Sequence, residues 1–204
     1  MLPDMPQPRM RAAHTQTLVA SVRKLAVAER TTILDAVTAD RLTEIESVFP
    51  MFWLPMTAHM ALSDAIRDTV GPERNRRIWR STMDSSYQRP LLQGFVSGAV
   101  GLFGMTPASL FRQGPRIYGQ LTRDLGAVTF DPVGENGGTV YLRGFPAKDF
   151  RFICYIEGLA GCLESTISLT RAIGEVTPLD ADEKRGDVSY RVRWERRTEG
   201  GPGG

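Results

Sequence analysis

The chain has 204 residues, 42% of them apolar, and a formal net charge of +2. That length fits one globular domain with a sizeable core. So even a charge balance argues against a nucleic-acid binder or an enzyme of acidic substrates. Cys154 and Cys162 are the only cysteines, and His14 and His59 the only histidines. This leaves no zinc-ligand spacing and no disulfide framework.

Residues 1–13 read as a loose arm, without the apolar segment of a signal peptide. From Thr17 to Val48 the apolar residues (Leu18, Val22, Leu25, Ile33, Leu34, Val37, Leu42, Ile45) follow helical spacing, although Thr17-Leu18-Val19 could open as a short strand. Pro50 and Pro55 flank the apolar cluster Met51-Phe52-Trp53-Leu54. A helix is predicted from Met56 to Val70, stopped by Gly71-Pro72. A basic helix follows from Pro72 to Met83, carrying Arg74, Arg76, Arg77 and Arg80 around Ile78 and Trp79.

Leu91–Met105 is a further helix candidate. It falls short of the roughly 20 residues a membrane span needs, so no span is expected; a cytoplasmic protein is expected from the two cysteines, read as unbridged. Thr106-Pro107 should open another helix, with Thr as cap and Pro in the first turn. After Gly114-Pro115 a last short helix is predicted to reach Leu125, with Gly126 as its stop.

The C-terminal third changes period. Ala127–Phe130 and Thr139–Leu142 read as strands of a hairpin turning over Gly134–Gly138. Asp149 to about Leu163 is helical by spacing. Thr166–Thr177 and Asp187–Trp194 read as two more strands joined by the turn Asp180–Gly186. In the last strand Val188, Tyr190, Val192 and Trp194 alternate with polar residues, as in a sheet with one buried face. The expectation is α+β: a helical N-terminal half, then a β-β-α-β-β antiparallel unit. Residues 14–195 would form the domain and 196–204 a disordered tail.

The run Tyr118-Gly119-Gln120-Leu121-Thr122 and the stretch Phe150–Gly158 resemble the haem–nitric-oxide/oxygen-binding fold and the vinyl-reductase-type ligand-binding domains. In the haem binders a His stands where Tyr118 stands here. Their Tyr-x-Ser-x-Arg propionate clamp is replaced by Tyr141-Leu-Arg143-Gly144-Phe145. The chain is also similar to a family of myxobacterial paralogues, through the run 102–107, Gly126, Glu157-Gly158 and the terminal Val192-Arg193-Trp194. The resemblance covers about Val70 to Glu195. It implies a sensory or regulatory domain that binds a ligand without the haem signature.

Candidate ligand-binding residues are Gly94, Gly98, Gly101, Tyr118 and Leu121. The three glycines share a helix face, where each costs about 1 kcal/mol against Ala. Either a second helix packs there, or a flat apolar molecule does, with Tyr118 and Leu121 as its opposite wall. Candidate partner-binding residues are Arg76, Trp79 and Arg80, of types enriched at protein interfaces; the alternative is a solvated helix face. His59, beside Met56 and Met60, reads as packed or hydrogen-bonded. Cys154 and Cys162, about 12 Å apart on a helix, read as small buried hydrophobes.

No catalytic residues, metal ligands or cofactor are assigned. Glu157 and Glu164 show no tuning environment, Ser97 fails the nucleophile-elbow spacing, and Gly134–Gly138 is no phosphate loop. The reading is a non-enzymatic domain for a small apolar molecule. The alternative is a protein-interaction scaffold whose pocket has filled.

Overall fold

The computed structural model describes residues 7–90, 92–94 and 106–195. Strand β1 (Arg9–Arg11) leads into three short helices, α1 (Ala12–Val22), α2 (Val27–Val37) and α3 (Ala39–Ser47). Strand β2 (Trp53–Pro55) then opens the long helix α4 (Met56–Tyr87). Helices α5 (Pro107–Arg112) and α6 (Gly114–Leu121) follow, then strands β3 (Thr122–Arg123), β4 (Ala127–Pro132) and β5 (Gly137–Arg143). Helix α7 (Phe152–Leu169) and the hairpin of β6 (Ile173–Asp182) and β7 (Asp187–Glu195) complete the described residues.

Two antiparallel sheets result, ordered β2-β1-β3 and β4-β5-β7-β6. The architecture is α+β, as the change of period predicts. Helix α7 is central, packed between α4 and the four-stranded sheet. The alternation expected for the last strand is present: Val188, Tyr190, Val192 and Trp194 are all buried. A second apolar cluster gathers Leu18, Val22, Ile33, Ile45, Leu62 and Ile66 from α1 to α4.

Several boundaries differ from expectation, each for a physical reason. Residues 9–11 are not a loose arm. Met10 is buried and pairs with Leu54 and Thr122, so the strand lies upstream of Thr17 and the first helix begins at Ala12. The Gly71-Pro72 stop is where it was expected: Gly71, at φ 79°, is non-helical and kinks α4, and a second helical stretch restarts at Pro72, though it reaches Tyr87 rather than Met83.

Helix α6 ends at Leu121 rather than Leu125. Thr122 turns extended and pairs with Met10, while its hydroxyl donates to Tyr118 O (2.9 Å). Helix α7 runs on through Thr166 and Ile167, read from β-branching as strand. Both are buried, and Thr166 donates back to Cys162 O, so packing overrides the local preference. The Thr106 cap holds, in a reciprocal capping box with Ser109.

Helix α7, although interrupted by polar residues, is also long and apolar enough to cross a membrane. It is 67% buried inside the protein, as a core helix is.

Candidate functional site

A cavity of about 80 Å³ lies between α4, α6, α7 and the four-stranded sheet, with α1 and β1 closing one side. Tyr118 and Leu121 line it from α6, one turn apart on the same face. From α7 come Tyr155, Leu159, Cys162, Leu163 and Thr166, which share one face by their i, i+4, i+7, i+8 and i+11 spacing. Trp79, Met83 and Tyr87 contribute from α4, Val128 and Val140 from the sheet, and His14 from α1.

The hydroxyls at this cavity are committed to the protein. Tyr118 donates to Leu125 O (2.9 Å), so the Tyr155 hydroxyl, also 2.9 Å away, donates to Tyr118. Thr166 gives its proton to Cys162 O, and Tyr87 therefore donates to Thr166 (2.8 Å). Burial raises the pKa of Tyr118, Tyr155 and Tyr87, and that of the Cys162 thiol to about 12. All four stay neutral near pH 7.

His14 is the polar residue that the sequence reading did not place here. Burial, with Arg89 as a lesser cause, lowers its pKa to about 4, so its ring is neutral. Ser86 spends its proton on Thr82 O, so the proton between Ser86 and His14 sits on His14 Nδ1 (3.1 Å). Nε2 is left as a bare acceptor. His59 lies 5.6 Å from His14 by ring centroids and bonds Thr15 through Nδ1, as its packed or hydrogen-bonded reading has it. Its Nε2 and the Trp79 indole N–H are buried without partners among the described residues.

The remaining candidates fall elsewhere. Gly94 is exposed, has no neighbour within 4 Å of where a Cβ would stand, and does not line the cavity. Gly98 and Gly101 lie outside the described residues. Close glycine packing occurs instead on α7. A Cβ on Gly158 would meet the Trp79 ring at 2.3 Å, and one on Gly161 would meet Arg76 O at 2.2 Å.

Arg76, Trp79 and Arg80 do not form a contact surface. Trp79 is only 3% exposed, Arg76 pairs with Glu164, and Arg80 donates to Ser168 (2.6 Å), so this face of α4 is turned onto α7. An Arg-rich helix reads as solvated only while its carboxylate partners are out of view. Here Glu164 sits 88 positions along the chain from Arg76, and Glu29 45 positions before Arg74. Glu157 is similarly engaged, gripped by Arg67 through two 2.8 Å bonds.

Cys154 is buried and Cys162 half-buried, both as free thiols. The Arg143 guanidinium lies over the Tyr141 ring, 5.2 Å from its centroid. Phe145 is buried against the Tyr155 ring at 4.3 Å. Among the described residues no group of His, Cys, Asp and Glu is placed to hold a metal ion.

No protein-family model matches the chain, and comparison with curated proteins finds no match. Solved structures do match it along nearly its whole length. A Cs H-NOX mutant bearing 4-cyano-L-phenylalanine superposes with a TM-score of 0.62 at 13% identity, covering 93% of this chain and 98% of its own. A mutant of the T. tengcongensis H-NOX gives 0.61 at 12% identity, covering 93% and 100%. An oxygen-binding H-NOX domain related to soluble guanylate cyclases gives 0.58 at 12% identity, covering 96% and 100%. The chain therefore has the H-NOX fold.

Proposed function

We propose that this protein is a non-enzymatic sensory or regulatory domain that takes a small, uncharged, chiefly apolar molecule into the cavity between α6 and α7. The observation that carries the reading is the cavity itself. It is lined by Leu121, Leu159, Leu163, Val140 and aromatic faces, and its hydroxyls are spent on protein acceptors. A charged or strongly polar guest would lose its water there without replacement. The H-NOX fold, whose solved members include an oxygen-binding domain, supports the sensory role.

H-NOX neighbours include domains studied for distortion of their haem, so the cavity must be tested against that group. Haem does not fit the residues present. About 80 Å³ is well under the roughly 300 Å³ at which pockets for larger ligands begin. It is nearer the ~150 Å³ apolar cavity that holds one benzene. Tyr118, at the position of the iron-binding His, has its hydroxyl tied to Leu125 and Tyr155, and burial holds it against becoming a phenolate. Tyr155, whose hydroxyl lies 2.9 Å from that of Tyr118, is itself stacked on Phe145.

The scaffold alternative loses its proposed surface, since Arg76, Trp79 and Arg80 are spent on the α4–α7 contact.

The test is native mass spectrometry of the purified chain with a visible absorption spectrum, then thermal unfolding in the presence of xenon or benzene. The expected result is no Soret band, and either a small bound mass or a rise in Tm that Leu121→Phe abolishes by filling the cavity. A Soret band, or an apo chain whose Tm neither probe moves, would overturn the reading.

A further inference from the structure

Strands β1, β2 and β3 form a sheet with one wet face. Met10, Leu54 and Thr122 are its buried side. Because side chains alternate along a strand, the other side carries Arg9, Arg11, Trp53, Pro55 and Arg123. Register sets them against one another: Arg11 opposite Trp53, and Arg9 opposite both Pro55 and Arg123. The Arg11 guanidinium stands 3.6 Å from the Trp53 ring centroid and that of Arg123 4.8 Å. Among the described residues, none of these three arginines has a carboxylate within ion-pair distance.

The segment entering β2 borders this face and holds large apolar side chains out in water. Phe49 is 62% exposed, Met51 46% and Phe52 63%. The segment is fixed rather than loose. Ala12 N–H donates to Phe52 O and Ala13 N–H to Pro50 O, both at 2.9 Å, while Arg11 reaches Met51 O and Gln16 reaches Val48 O. The two Phe rings meet edge to face at 5.8 Å.

Single exposed apolar residues are ordinary, but three within four positions on a pinned segment mark a contact site. The chemistry of the occupant follows from the neighbours: apolar where it meets the Phe side chains, anionic where it meets the unpaired arginines. Glu44 lies back along α3 and Glu46 is held by Arg23, so neither neutralises the patch.

The Phe49 and Phe52 side chains are more than half exposed. A rigid protein surface would need a matched pocket for each ring, whereas the headgroup layer of a bilayer accepts projecting aromatic side chains beside arginines. We propose that this face docks the protein on an anionic lipid surface, with Phe49, Met51 and Phe52 entering the headgroup boundary and Arg9, Arg11 and Arg123 meeting the lipid anions.

Co-sedimentation of the full chain with vesicles tests this, using phosphatidylcholine alone and phosphatidylcholine mixed with phosphatidylserine. The chain is expected to pellet with the mixed vesicles, at least about tenfold more tightly than with the neutral ones, and to be released by salt. Phe49→Ser with Phe52→Ser, and separately Arg9→Glu with Arg123→Glu, should each lower binding about tenfold while circular dichroism stays unchanged. No binding to the mixed vesicles would overturn the proposal and leave the patch to an acidic, apolar protein partner. Binding untouched by either pair of substitutions, or equal on neutral vesicles, would overturn it as well.

Discussion

Gly161 and Gly94 show how differently one residue type is used. Gly161 lies where α7 crosses α4, and an added methyl would run into the backbone at Arg76 O and Arg80 N. Backbone cannot rotate aside as a side chain can, so the helices would have to separate. Gly161→Ala should cost about 1–3 kcal/mol, read as a fall in the urea midpoint. Gly94 is helical, exposed and uncrowded. There the substitution removes only the entropy penalty of glycine, and Gly94→Ala should stabilise by about 0.5–1 kcal/mol. Equal effects at the two sites would refute this assignment of the packing glycine. Of the i, i+4, i+7 glycine pattern, Gly94 alone lies among the described residues, and it meets nothing. Spacing reports which residues share a face, but not what that face meets.

At the scale of elements, α4 and α7 are bound by partly buried charges as well as apolar packing. Arg67 grips Glu157 through two bonds, with side-chain exposures of 21% and 17%, and Asn75 lies 3.4 Å from the same carboxylate. Exposed pairs contribute under about 1 kcal/mol and buried ones cost about 3–5 when half is removed. A double-mutant cycle with Arg67→Met and Glu157→Gln should therefore give a coupling of about 1–3 kcal/mol. A coupling near zero would mean that solvent screens the pair. The helices themselves were legible from periodicity, and the Thr106 cap from its chemistry. Their ends were less so, because Thr122 and Thr166 take opposite conformations from similar local preferences. Met10 draws the first into a strand, and α4 holds the second in a helix.

For the molecule as a whole, acid should be the sensitive direction. His14 and His59 are both fully buried where α1 meets α4, and both pKa values are depressed by that burial, His14 to about 4. Unfolded, each would take a proton near pH 6.5. Between those values the unfolded chain binds more protons than the folded one, so stability is full above about pH 6.5 and falls as the pH drops toward 4. Thermal unfolding across that window should show the loss, and replacing both histidines with Gln should flatten it; an unchanged slope would place the acid sensitivity elsewhere. Residue order and period by themselves determined the α+β class, the hairpin and the buried face of the last strand. These follow from local chemistry and from alternation along one element. Only the tertiary structure decided that Tyr118 and Leu121 meet Tyr155, Trp79 and His14 around one cavity, and that Arg76, Trp79 and Arg80 face inward. Those outcomes depend on contacts between residues some forty to a hundred positions apart. No pattern within an element carries that information.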